Sequence, residues 1–197
     1  MSFHCLMTGV GGQGTVLASK LLARCAMRSG LFARTSETIG MAQRGGSVVS
    51  HVRLGETESA LIPKNGADLI IAFEPAEAVR ALPYLKPNGN CVVAKRAIQP
   101  ITASLSGKNY DADAMLTFLQ DYTGSCTVVD GDALTLAAGN PKTLNIILLG
   151  VAFGKKYISL DSEAMKASIC DTLPQKLHAM NLTAFDLGRQ AEGEEIL

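Results

Sequence analysis

The stretch Phe3-His4-Cys5-Leu6-Met7-Thr8-Gly9-Val10-Gly11-Gly12-Gln13-Gly14-Thr15 decides the fold of this 197-residue chain. An apolar strand, Phe3 to Met7, runs into a glycine-rich turn, and a helix-compatible segment begins at Thr15. In that setting each glycine has an expected use. Gly9 allows the sharp turn, Gly11 lets backbone approach a ligand, and Gly14 permits close packing of helix on strand. N–H groups of the turn, with the helix dipole behind them, then aim at an anion. Gly9, Gly11, Gly12, Gln13, Gly14 and Thr15 are therefore the candidate cofactor-binding residues.

Outward from that turn, Thr15 to Ser29 reads as an amphipathic helix with Leu17, Ala18, Leu21, Leu22 and Cys25 on one face and Gly30 as its stop. Leu31 to Ser36 reads as the second strand, with Glu37 placed where a dinucleotide site wants an acid for the ribose hydroxyls. Beyond Glu37 the chain departs from a dinucleotide fingerprint, because Gly40 to Gly46 replaces a crossover helix. Its paired glycines, Gly45 and Gly46, can present Arg44 as a fork for a carboxylate or phosphate. A connecting turn is the alternative.

Ser47 to Leu54 alternates as a strand, and Gly55-Glu56 predicts a hairpin with Thr57 to Ile62, which makes the sheet mixed. Ala67 to Phe73 is apolar but for Asp68, with a β-branched centre, as expected of a strand covered on both faces. A helix follows Pro75 as far as Leu85, with a break at Pro83 as the alternative, and Pro87-Asn88-Gly89 predicts a turn into a strand from Cys91 to Ala94. Gln99 to Asn109 reads as the long loop, Asp111 to Tyr122 as a helix and Cys126 to Val129 as a strand. Helices Lys142 to Phe153, Ser162 to Met180 and Asn181 to Gln190 complete the chain. The expectation is a three-layer Rossmann-like α/β/α sandwich with a mixed, mostly parallel sheet. Residues 1–197 form one domain of ordinary size, with a C-terminal helical tail from about residue 160.

Composition excludes several function classes. Lys+Arg and Asp+Glu both total 18, so no net field draws the chain to nucleic acid or an anionic membrane. No apolar stretch approaches the roughly 20 residues of a membrane span, and no signal-peptide pattern opens the chain, so the expected location is the cytoplasm. The five cysteines are scattered without metal or cluster spacing. No Ser, Cys or carboxylate stands at a spacing that would make a triad with His4, His51 or His178. His51 shares a strand face with Ser47 and Arg53, as a site residue or as an ordinary wet-face histidine. Asn145, polar within an apolar helix, either satisfies backbone groups of a neighbouring loop or meets a ligand.

Four stretches together resemble the gamma-type subunits of the 2-oxoacid:ferredoxin oxidoreductases. They are Gly9 to Gly14, Ser36 to Arg53, Glu74-Pro75-Ala76-Glu77-Ala78, and Asn145 to Gly150. Met41-Ala42-Gln43 before Arg44 is similar to the indolepyruvate branch, whose small subunit is called beta. Ile39 departs from that branch, which more usually carries His there. The resemblance implies a subunit without catalytic residues of its own, active only with a large partner subunit that holds thiamine diphosphate and the iron–sulfur clusters. No cofactor or metal would be held by this chain alone. Coenzyme A would be the co-substrate facing the glycine turn, and ferredoxin the electron acceptor reached through the complex. Glu37, Arg44, Gly45, Gly46, His51 and Asn145 become interface or ligand-facing candidates, and a homodimer of the isolated chain is left open. Read from the residues alone, a stand-alone NAD(P)-dependent dehydrogenase and a noncatalytic nucleotide-binding module remain alternatives.

Overall fold

The computed structural model describes residues 2–39, 46–98 and 110–191. The expected loop Gln99 to Asn109 lies outside them. Six strands form one sheet: β1 (Phe3–Val10), β2 (Ala33–Ile39), β3 (Ser47–Leu54), β4 (Ala67–Ala72), β5 (Leu85–Ala94) and β6 (Ser125–Val129). Their order is β2-β3-β1-β4-β5-β6. β1, β4, β5 and β6 pair in parallel, while β3 runs antiparallel to both β1 and β2. The helices are α1 (Thr15–Arg28), α2 (Pro75–Ala81), α3 (Ala112–Tyr122), α4 (Gly131–Ala137), α5 (Leu144–Gly154), α6 (Ser162–Thr172) and α7 (His178–Gln190).

Strand periodicity sorts the core into two layers. Cys5 and Met7 of β1, with Leu69 and Ile71 of β4, point into the larger layer beneath α1, α5, α6 and α7. Leu6, Ile70 and Val93 point the other way, against α2 and α3. Successive side chains of a strand face opposite sides, so a strand covered by helices on both faces must be apolar throughout. From Leu69 on, β4 meets that demand: Leu69, Ile70 and Ile71 are fully buried, each worth about 1.5–3 kcal/mol in burial, while Asp68 before them is half-buried and pairs with Lys86. The expected three-layer α/β/α architecture with a mixed sheet is what the chain forms.

Three local expectations are corrected. The partner of β3 in its hairpin is β2, with Ala33 opposite Leu54 and Ile39 opposite Val48. Residues 57–62 form no strand, because both edges of β3 are taken by β1 and β2. Side chains hold that segment instead: Arg53 donates to the Ser59 and Leu61 carbonyls at 3.2 and 3.1 Å, and Arg34 to the Thr57 carbonyl at 2.9 Å. β5 begins at Leu85 rather than Cys91. Asn88, at φ +60°, and a register shift against β4 absorb the expected turn as an irregularity within the strand.

The third correction concerns the C-terminal helices. The expected helix from Ser162 to Met180 is two, divided at Leu173-Pro174, because proline lacks the N–H that would continue the ladder. The C-terminal helices pack closely onto the rest of the fold. Ala184 and Phe185 of α7 are fully buried, and Phe185 meets Phe153 of α5 edge to face at 5.4 Å. Gly150, Gly154 and Gly188 let the two helix backbones touch: a Cβ on Gly150 would lie 2.3 Å from the Phe185 carbonyl oxygen. Nine consecutive residues of α5, Asn145 to Phe153, are buried between α7, the sheet and the neighbouring helices. No single helix among the described residues is long and apolar enough to cross a membrane.

Candidate functional site

β1 continues through Gly9 and Val10, so the turn begins later than the apolar run suggests. The Gln13 N–H donates to the Val10 carbonyl at 3.2 Å and closes the turn. The Gln13 side chain then folds beneath it. Its Oε1 accepts the Val10 N–H at 2.7 Å, and its Nε2 donates to the Phe73 carbonyl at 2.8 Å, tying the turn to the end of β4. Gly9 is glycine for that reason, since a Cβ there would stand 2.6 Å from Gln13 Oε1 and 2.9 Å from Phe73 Cβ.

Gly14, at φ +84°, is the residue just before α1, and a Cβ on it would lie 2.6 Å from Asn145 Nδ2. Asn145 is 3% exposed; its Nδ2 donates to the Gly14 carbonyl at 3.3 Å and its Oδ1 accepts the Ile146 N–H at 2.9 Å. The buried amide therefore supports the turn from below. Gly12 differs from both. It is exposed, at φ +100°, and a Cβ on it would meet nothing within 4 Å. Directly behind it α1 starts with no side-chain cap and no acidic residue in its first turn. First-turn N–H groups of a helix have no intrahelical partner and carry the positive end of its dipole. An anion is the complementary ligand.

That turn opens on a cleft of about 260 Å³ whose lining includes Gly12, Gln13, Phe73, Arg96, Asp132 and Lys142. Each comes from just beyond the carboxyl end of a parallel strand or from the turn leading into α5. In open α/β sheets this is where ligands bind, at the place where successive connections diverge. Arg96 pairs with Asp132 at 3.1 Å, both side chains largely exposed. Lys142 is exposed too, its backbone N–H held by Asn140 Oδ1 at 2.9 Å. Nothing in their local sequence marks Arg96 or Lys142, since they converge only after folding.

Two buried carboxylates, Glu74 and Glu77, stand at the start of α2. Glu74 Oε2 accepts the Glu77 N–H at 3.0 Å, while its Oε1 accepts the Tyr110 hydroxyl and the Ile98 N–H, the latter at 3.4 Å. Burial, with Glu74 beside it, pushes the Tyr110 phenol up, so it remains a donor. Glu77 accepts the Ser47 hydroxyl at 2.5 Å and pairs with Arg80. Both acids are occupied in holding neighbouring segments. Their signal in the sequence is an acid directly before Pro75, the pattern of an N-cap followed by proline at the first helical position.

The other candidates are dispersed. The Gly46 carbonyl accepts the Gly11 N–H at 2.9 Å, which brings the end of that loop against the glycine turn. Arg44 and Gly45 lie outside the described residues. Glu37 sits in β2, and because β3 lies between β2 and β1 it stands two strand spacings, about 9–10 Å, from β1. A ribose-binding acid belongs on the strand next to β1, so Glu37 does not complete a dinucleotide site. His51 is buried, accepts the Ile62 N–H on Nδ1 at 3.1 Å and meets the Tyr84 ring edge-on at 5.9 Å. Burial lowers its pKa. It pairs with Leu6, three residues back along β1 from Gly9, and serves the loop at residues 55–66. Among the described residues no three His, Cys, Asp or Glu side chains are grouped to hold a metal.

Residues 4–191 match the family model described as pyruvate ferredoxin/flavodoxin oxidoreductase. The chain is 36% identical over 195 residues to the indolepyruvate oxidoreductase subunit IorB of Methanothermobacter thermautotrophicus, covering 98% of this chain and all of that protein. Among solved structures it is similar to the pyruvate oxidoreductase subunit PORC of Thermotoga maritima, with a TM-score of 0.70, 21% identity and 95% of each chain covered. It also superimposes, over its whole length, on 32% of the 2-oxoglutarate:ferredoxin oxidoreductase of Magnetococcus marinus, solved with 2-oxoglutarate, coenzyme A and succinyl-CoA bound. That match has a TM-score of 0.73 at 17% identity. These structural likenesses concern the fold.

Proposed function

Because this chain belongs to the pyruvate ferredoxin/flavodoxin oxidoreductase family, we propose that it is the small subunit of a CoA-acylating indolepyruvate or aryl pyruvate:ferredoxin oxidoreductase. It works only with a large subunit, which in this reading carries thiamine diphosphate and the iron–sulfur clusters. Those groups supply the decarboxylation and the electron transfer to ferredoxin. The oxoacid class rests on near-full-length similarity to indolepyruvate oxidoreductase subunits.

This chain's own share is to bind and orient coenzyme A. The observation that carries this is the opening of the glycine turn, at Gly12, onto a cleft that also holds Arg96 and Lys142. The donor set fits a phosphate: N–H groups at an uncapped helix start and two exposed cations at the rim. Gln13 and Asn145 hold the turn in shape before any ligand arrives, which lowers the ordering cost of binding. Arg44, with Gly45 and Gly46, serves the boundary with the large subunit.

The test is reconstitution. The purified chain alone should be inert. Co-expressed with its large subunit it should support aryl pyruvate-dependent reduction of ferredoxin or a viologen dye in the presence of CoA, and Arg44→Ala should impair activity or assembly. Gly12→Val should raise the KM for CoA without changing the KM for the oxoacid. Full activity of the large subunit by itself would overturn the subunit role. An unchanged CoA KM in Gly12→Val would overturn the ligand role of the turn.

A further inference from the structure

Cys91 of β5 and Cys126 of β6 are direct lateral neighbours in the sheet, and both side chains enter the smaller core layer. Neighbouring strands are about 4.8 Å apart, within the Cα separation of about 4.4–6.8 Å that a disulfide spans. Cys5, by contrast, pairs with Val52 and Leu69, and Cys25 points its thiol at the Asp161 carbonyl. Cys91 is fully buried. Cys126 is on the edge strand β6 and retains 8% exposure, so a small oxidant reaches it first.

We propose that Cys91 and Cys126 form a reversible cross-strand thiol pair, oxidised to a disulfide by hydrogen peroxide. The Cys126 thiol gives up its proton and the thiolate attacks one peroxide oxygen; the O–O bond breaks, a sulfenic acid forms, and the leaving hydroxide takes up that proton as water. The Cys91 sulfur then attacks the sulfenic sulfur, its proton leaves with the displaced hydroxide as a second water, and the S–S bond forms. Two thiols lose two electrons to one peroxide. The division of roles follows from the local hydrogen bond: the Cys91 thiol facing Cys126 holds Cys126 below an ordinary thiol, while the same contact and full burial push Cys91 up. Side chains on adjacent parallel strands stand nearly upright and must lean together to bond, so the disulfide is strained and easily reduced.

The experiment treats the reduced full-length chain with hydrogen peroxide, quenches it with an alkylating agent and maps the peptides without reduction. The expected result is a chain lighter by two hydrogens, one peptide pair linked through Cys91 and Cys126, and full reversal by dithiothreitol. Cys91→Ala should leave Cys126 as a sulfenic acid that dimedone traps, and Cys126→Ala should leave Cys91 unmodified. Cys91→Val, which keeps the core volume, repeats the first test if Cys91→Ala does not fold. Unchanged mass after peroxide would overturn the proposal, as would a linked peptide that survives Cys91→Ala or Cys91→Val.

Discussion

The two ends of β1 use the same chemistry for different results. At its carboxyl end Gln13 and Asn145 are spent on backbone groups of the glycine turn. Around its amino half His51 and Arg53 are spent in the same way, on the loop at residues 55–66. The difference is in what remains outside. Above, an exposed glycine, an uncapped helix start and two cations face a cleft. Below, Arg53 also reaches His4 Nε2 at 3.3 Å, and the polar side chains close on one another. A buried polar residue is thus a poor marker of a site by itself. The marker is the backbone it leaves pointing outward.

The comparison breaks most severely at Gly14. Gly14→Val combines a positive φ with a clash against Asn145, and we expect a loss of roughly 3 kcal/mol, read from the urea midpoint. A loss no larger than that of Gly12→Ala would mean that Asn145 does not brace the turn. At the other end His51→Leu should cost about 2 kcal/mol, because the buried Ile62 N–H loses its acceptor. Hydrogen exchange should quicken at residue 62 and not at Gly11. Gly12→Ala carries only the cost of its backbone angle, about 1 kcal/mol.

Acid should separate the two ends more gently. Burial lowers the pKa of both His4 and His51, so the folded chain holds them neutral while the unfolded chain takes up protons first, near the ordinary value of about 6.5. Their contribution to stability is complete above that value and is lost as pH falls from it toward the lowered folded values. In His51→Leu the part of this slope due to His51 should vanish. The smallest stability effect is expected of Arg96→Ala, because its pair with Asp132 is exposed and worth at most about 1 kcal/mol. In the complex, however, the same substitution should raise the KM for CoA. A stability loss with no effect on CoA would move Arg96 from the site to the scaffold.

The succession of strand, turn and helix from Phe3 to Arg28 is legible, because local rules govern it: an apolar run, glycines, then a helical period; that Gly9 and Val10 still belong to the strand is not. β4 is legible for a similar reason, since burial on both faces leaves no polar position in Leu69 to Ala72. Asn145 is legible as a polar residue in a buried helix, though not as the brace beneath Gly14. Pro174 does mark the break between α6 and α7. The periodic helical pattern on either side of it hides that break when read alone.

The partner of β3 could not be read, because Gly55-Glu56 is as good a turn signal as the glycines before Ser47. Competition for the edge of β1 settles the choice, and that is a property of the whole sheet. The meeting of Gly12, Arg96 and Lys142 is nonlocal in the same sense, as these residues lie on separate connections whose ends are gathered by parallel pairing. Local sequence sets φ, period and burial one element at a time. Which elements become neighbours, and so which charges share a cleft, is a matter of long-range packing that no single segment encodes.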